Sequence, residues 1–244
     1  MKKTLLEIVQ DILDALDYDE VNSIDDTIQS AQVASIIENC YWGMISKRDW
    51  AHLRKLFQLE SVGSVSKPVY LKLPERTTRV ESIKYKTALG TFREIKYKNP
   101  DEFLYICNHR LPSSPSVAVV SDFSGVQLNI LKDAEPSYWT SFDDVYVVFD
   151  SFDEEVETTV QASNTQCLGY ITPMWSTVDD FIPDLPIEAF PALFEEAKST
   201  ASLNLKQMVD QKAENNSMKQ QRRLSQNAWR AHSLMVYPNY GRNR

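Results

Sequence analysis

The spacing of apolar residues changes twice along this chain, and the two changes divide it into helical ends and a strand-rich middle. Over residues 4 to 16, Leu5, Leu6, Ile8, Val9, Ile12, Leu13 and Leu16 recur every three or four positions, as one face of a helix requires. After the polar DYDEVNS turn, Ser23 is placed to cap a second helix, with Asp25 and Asp26 in its first turn, where the helix dipole favours carboxylates. Ile28, Ala31, Val33, Ala34, Ile37, Cys40, Tyr41, Met44 and Ile45 carry that helix's apolar face to about Arg48. From about His52 the period falls to two, with frequent Pro, Gly and Asn punctuation. Strands are expected at 56 to 61, 68 to 73, 78 to 86, 92 to 97, 117 to 121, 127 to 131, 144 to 149 and 156 to 163, with another near 167 to 172. DDVYVVFD is the clearest: Val145, Val147 and Phe149 face one side, and Asp144, Tyr146, Val148 and Asp150 the other. One short helix is expected at NPDEFLYICNH, where Asn99 caps, Pro100 suits the first position, and Phe103, Leu104 and Ile106 or Cys107 point inward.

Pro183 and Pro186 close the strand region, and helical spacing returns through Phe190, Leu193, Phe194, Ala197, Ala201, Leu205 and Met208. The alanines line a narrow seam suited to close packing on a neighbouring helix. A polar helix, roughly Ala213 to His232, follows with few large apolar residues besides Met218, Leu224 and Trp229, so burial within one subunit is not expected to support it. The last twelve residues, SLMVYPNYGRNR, carry Leu234, Met235, Val236, Tyr237 and Tyr240, while Pro238 and Gly241 oppose a helix. Two readings stay open for them: a disordered tail, or an arm that orders only against a partner. Helices at both ends imply that the ends meet. The expected class is α+β: a helical bundle formed by N- and C-terminal helices, 1–50 and 185–232, with an inserted antiparallel β-rich domain, 51–184, and an extended arm, 233–244.

Hydrophobic residues make up 43% and charged residues 25% of 244, ordinary globular values that leave room for a core without metal or disulfide staples. Cys40, Cys107 and Cys167 are far apart and odd in number, which fits a reducing compartment. Lys2 and Lys3 resemble the start of a signal peptide, but Glu7, Asp11 and Asp14 break the apolar run such a peptide needs, and no stretch is long enough to anchor in a membrane; the expectation is a cytosolic protein. Net charge is −8 and segregated. Asp133 to Ala197 holds fifteen acidic residues and no Lys or Arg, whereas Lys198 to Arg244 holds nine basic residues and two acidic ones. Oppositely charged surfaces and merely solvated faces both fit this pattern.

Catalytic constellations fail on residue supply. His52, His109 and His232 form no His-x-x-x-His, and no Cys-x-x-Cys occurs. Six scattered glycines build no phosphate-cradling loop. The acidic string Asp143, Asp144, Asp150, Asp153, Glu154, Glu155 and Glu157 is the sharpest metal candidate, but Asp144 and Asp150 on one strand stand roughly 20 Å apart at ~3.4 Å per residue. Ser121, Ser124 or Cys107 with His109 are the only local nucleophile–base pairings, and none has the glycine context of a hydrolase elbow. The expectation is therefore a non-enzymatic protein with no cofactor. Arg222, Arg223 and Arg230 with Lys212 and Lys219 are the best nucleic-acid candidates. The arginine pair sits among glutamines with Trp229 as its one aromatic neighbour, so docking on an acidic protein surface is preferred.

Four segments stand out: the opening helix pair, with DILDAL and a second helix closing on SKRDW; YLKLPERTTRVESIKY at 70 to 85; EPSYWTSFDDVYVVFDSFD at 135 to 153; and LPIEAFPALFEEAKSTASLNLKQMVDQKAENNSMKQQRRLSQNAWR at 185 to 230. These four resemble the head-to-tail adaptor family of tailed bacteriophages, also called connector or tail tubular proteins. They cover most of the chain in the family's order. The resemblance implies a virion structural protein, assembled in the host cytoplasm into a homo-oligomeric ring of twelve copies. That ring would join the capsid portal to an adjoining tail or nozzle protein and continue the channel for genomic DNA without sequence-specific binding. Arg222, Arg223, Trp229, Arg230 and the arm residues Leu234, Met235, Tyr237 and Tyr240 are then expected to contact portal or adjacent adaptors, and Tyr138, Trp139 and Asp144 the next tail component. The rival readings are a nucleic-acid-binding regulator using the basic C-terminal helix and, behind it, a metal-dependent hydrolase using the acidic string.

Overall fold

A computed structural model describes residues 2–231, with side chains through residue 225. The fold is mixed α+β, with six α-helices and eleven strands among the described residues. It divides into two compact units, Met1–His52 with Pro173–Arg244, and Leu53–Thr172. The strand-rich unit thus ends at Thr172 rather than 184.

The first unit is helical. Helix α1 (Leu5–Ala15) starts at a reciprocal cap in which Thr4 Oγ1 accepts from the Glu7 N–H and the Glu7 carboxylate accepts from the Thr4 N–H. The Leu5 N–H donates to Phe181 O at 2.7 Å and the Asp179 carboxylate accepts from the Ile24 N–H at 2.9 Å, so residues after Thr172 are tied to the helices. Helix α2 (Ile28–Ser46) is capped by Thr27, not Ser23, because Thr27 and Ser30 exchange side-chain and backbone bonds. Helix α5 (Phe190–Lys206) packs on α1, α2 and α6 (Gln211–Ala231), burying Leu193, Ala197 and Ala201 on its seam. Gln207 turns left-handed at φ 54° and ends α5, which leaves Met208 66% exposed and off the seam where spacing had put it. The Asp210 carboxylate accepts from the Ala213 N–H at 3.0 Å and opens α6.

Polar contacts correct the expectation that α6 lacks support within the chain. Ala213, Ser217 and Leu224 are buried, the Ser217 hydroxyl bonds to Glu196, and Gln221 Nε2 donates to Glu196 Oε2 at 3.2 Å. Asn216 Nδ2 donates to Glu195 Oε1 at 3.3 Å. Hydrogen bonding along a small-residue seam replaces the apolar burial that this composition denies.

The second unit holds every strand among the described residues. A curled sheet of eight runs in the order β1 (Arg54–Phe57), β11 (Thr165–Ile171), β4 (Thr77–Lys86), β5 (Phe92–Tyr97), β8 (Tyr138–Thr140), β9 (Tyr146–Phe149), β3 (Tyr70–Lys72), β2 (Glu60–Ser61). A sheet of three runs β10 (Ser151–Phe152), β7 (Gln127–Lys132), β6 (Val117–Ser121). The unit is not wholly antiparallel: β5 pairs β8 and β10 pairs β7 in parallel. A parallel neighbour needs a long crossover, and between β5 and β8 the chain supplies helix α3 (Pro100–Asn108) and the β6–β7 hairpin. Strand β9 separates two apolar clusters: Val147 and Phe149 enter one with Leu71, Ile83 and Trp139, while Val148 and Tyr146 enter the other with Phe103, Leu128 and Ile130. The expected alternation holds, but both faces are buried.

Three further expectations fail. Residues 158–163 form helix α4 (Thr158–Ser163), although Val156, Thr158, Thr159 and Val160 read as a strand. The Gln161 amide is buried and donates to Asp153 O and Val156 O, both at 3.1 Å, which closes a turn that β-branched spacing cannot report. The expected strand 56 to 61 breaks into β1 and β2, where the Leu59 N–H donates to Thr165 Oγ1. Strand β8 carries no period of its own in the sequence, because it is three residues long and follows Pro136.

Candidate functional site

The segment 135 to 153 is organised around one buried carboxylate. Asp150 is 3% exposed. Its Oδ1 accepts from the Ser137 N–H at 2.8 Å and the Tyr138 N–H at 2.9 Å, and its Oδ2 accepts from Arg110 Nη2 at 2.9 Å. Arg110, just beyond α3, also donates through Nη1 to Asp150 O at 2.6 Å and Asn129 O at 3.3 Å, and Asn129 Nδ2 donates back to Arg110 O at 3.1 Å. The Leu131 N–H donates to Asp150 O at 3.2 Å. One ion pair therefore ties together α3, β7 and the start of β8. Nothing in the spacing of Arg110, Asn129 and Asp150 announces that they meet.

The rest of the acidic string is dispersed. The Asp143 carboxylate accepts from the Val145 and Tyr146 N–H groups at 3.0 and 2.9 Å and shapes the β8–β9 turn. Asp144 lies in that turn at φ 58°, exposed and outside any strand. Asp153 accepts from the Glu155 N–H at 3.0 Å, and Glu154 pairs with Lys132 at 2.6 Å. Among the described residues no group of three or more His, Cys, Asp or Glu side chains is placed to hold a metal ion.

Of the residues expected at interfaces, Arg222 and Arg223 are exposed on α6. Trp229 and Arg230 lie in the last turns of that helix, and Leu234, Met235, Tyr237 and Tyr240 lie outside the described residues. Tyr138 is half-buried under Lys98, whose Nζ stands 5.8 Å from the ring centre. Trp139 corrects its expectation: it is 8% exposed, packed in the core with its ring 4.8 Å from Tyr97. Its face of the sheet carries the apolar cluster of Leu71, Ile83, Val147 and Phe149, which covers the indole.

His109 does not reach Cys107. Its Nδ1 lies 2.8 Å from Tyr105 O, while Cys107 is fully buried. Burial pushes the Cys107 thiol up to about 11, with Arg110 partly offsetting it, and the Cys167 thiol up to about 12. Cys40, half-buried, is also raised by burial. Thiolate is the reactive form, so at pH 8 a disulfide reagent is expected to titrate Cys107 and Cys167 only after denaturant is added. Stoichiometric labelling of either in the native chain would contradict this packing.

An open groove of about 970 Å³ also lies in the strand-rich unit, lined by β6, by Gly63 and Val65 to Pro68, and by Phe152 to Thr159 with Gln161. The sequence marks β6 only as an apolar strand; that no described strand pairs with its outer edge is decided by the order of the three-stranded sheet. Neither a family model nor a curated protein matches this chain.

Proposed function

We propose that this chain is a non-enzymatic structural adaptor of a tailed-phage virion, whose copies form a ring between the capsid portal and the tail and continue the DNA channel. In this reading the N- and C-terminal helices form a bundle, and the strand-rich unit is an insertion that faces the next tail component. The observation that carries it is α6. This long polar helix meets α5 through small and polar residues, displays Lys212, Lys219, Arg222 and Arg223 to solvent, and leads into a terminus dense in aromatic and aliphatic residues. A cationic helix of that kind fits docking on an acidic protein surface. Side-by-side burial in a ring supplies partners for such faces.

Electron microscopy of the purified chain mixed with portal tests the reading. The expected result is an added ring of density on the portal, with twelve copies in it. Failure to bind either portal or tail protein would sink the adaptor role. The same four exposed cations favour one second reading, a nucleic-acid-binding regulator. It requires a gel shift whose affinity falls steeply with salt, with a slope of about −0.9 per neutralised phosphate.

A further inference from the structure

Strand β6 is an open edge without the usual protection. Lys132 N donates to Ser116 O at 2.9 Å and Asp122 N to Val126 O at 2.7 Å, which sets the phase of the β6–β7 ladder. Even-numbered residues turn their backbone groups to β7, and Val117, Val119 and Ser121 turn theirs outward. Two of these outward groups are occupied: Val117 N donates to Ser114 O at 3.1 Å, and Ser121 O accepts from Lys67 Nζ at 2.7 Å. The Val117 carbonyl, both groups of Val119 and the Ser121 N–H remain, and among the described residues no strand pairs on that side. Edges are normally blunted by charge, Pro or a bulge. The β1 edge of the larger sheet carries Arg54 and Lys55, but β6 reads Val-Ala-Val-Val-Ser.

The groove along this edge has a definite chemistry. Val65, 94% exposed, and Val119, 47% exposed, give it apolar contact, and Asp153, Glu154, Glu155 and Glu157 line it as well. Lys132 pairs with Glu154, whereas Glu155 and Glu157 are exposed and have no ion pair among the described residues. An extended segment that is apolar for about five residues and cationic nearby would satisfy both edge and rim. Residues 233–244 have that composition: Ser-Leu-Met-Val-Tyr matches β6 in length, Pro238 ends any strand because it lacks an N–H, and Arg242 and Arg244 follow with no acidic residue.

We propose that residues 233–237 of one copy add as a strand to the outer edge of β6 on a second copy, with Arg242 and Arg244 set against Glu155 and Glu157. The choice of a second copy rests on the ring reading, which places copies side by side. The backbone bonds of the added strand supply affinity, and the carboxylate rim selects a cationic segment.

Amide hydrogen exchange of the full chain at increasing protein concentration, with sedimentation velocity in parallel, tests it. The peptide covering Val117–Ser121 is expected to exchange about tenfold more slowly in the associated protein than at high dilution. Deleting 232–244 is expected to remove that protection. Val119→Pro should do the same, since it deletes an outward N–H and leaves the β7 ladder intact. Should Val119→Pro fail to fold, the deletion decides. Exchange independent of concentration overturns the proposal, and protection lost on deletion without any concentration dependence places the arm on its own copy and also overturns it. Protection that survives deletion points to another occupant and rejects the arm. A ring on portal with an unprotected β6 edge sinks this inference alone, whereas edge protection with no binding to portal or tail protein sinks the adaptor reading alone.

Discussion

Replacing Asp150 with alanine is expected to lower the stability of the strand-rich unit by about 3–5 kcal/mol, the cost of breaking a buried ion pair by removing one partner. Three part-buried donors lose their acceptor at once: Arg110 Nη2 and the N–H groups of Ser137 and Tyr138. For a chain of this size that is a fall in melting temperature of roughly 6–20 °C, at about 2–4 °C per kcal/mol. Calorimetry should place the loss in the transition of the strand-rich unit. Arg110→Met removes the charge from the other side and leaves the two backbone donors bonded, so its cost is expected to be smaller, about 2–3 kcal/mol. An Asp150→Ala loss under about 1 kcal/mol would mean that water reaches the pair and that it does not organise the segment.

Gly169→Ala is expected to cost about 1–3 kcal/mol, and Gly169→Val more, although both replace glycine by residues better suited to strands. A Cβ at this position would stand 2.3 Å from Arg79 O, 3.2 Å from Val80 Cα and 3.1 Å from Phe57 Cε1. The Phe57 ring can swing away, but the carbonyl belongs to β4, whose register with β11 shifts between Leu168 and Gly169. Relief therefore separates two paired strands. Gly43→Ala in α2 is the control, because nothing lies within 4 Å of its Cβ position and the helix interior favours alanine. It is expected to stabilise by about 0.5–1 kcal/mol. Urea titration of the variants should give opposite signs, and a neutral Gly169→Ala would show that β4 and β11 do not approach this closely.

What was legible in the sequence follows how far each signal reaches along the chain. Helices α1, α2, α3, α5 and α6 are legible because each carries its own period within one or two turns, and Pro100 takes the first position of α3 as its fixed φ implies, although the Asn99 side chain makes no cap bond. The start of the second helix lies at Thr27 rather than Ser23 because both residue types can cap and only Thr27 has the reciprocal partner Ser30. Helix α4 was read as strand because its β-branched residues suit both structures and the deciding bonds come from one glutamine amide. Gly169 carried a usable signal, an isolated glycine inside a strand pattern, which marks a close backbone approach. The interface residues divide similarly: exposure of Arg222 and Arg223 follows from a polar helix face, whereas the burial of Trp139 depends on strands far away in sequence.

The sequence by itself determined the helical ends, the strand-rich middle, the phase of β9 and the separation of acidic from basic segments, because local periodicity and charge need no partner to be read. Tertiary structure alone decided that β5 and β8 run parallel, that Arg110 meets Asp150 across 40 residues, and that β6 is the last described strand of its sheet, beside a carboxylate-lined groove. The physical reason is the same in each case. Strand order and ion pairing are settled between segments distant in the chain, and a strand of three to five residues carries no mark of which neighbour will satisfy its backbone.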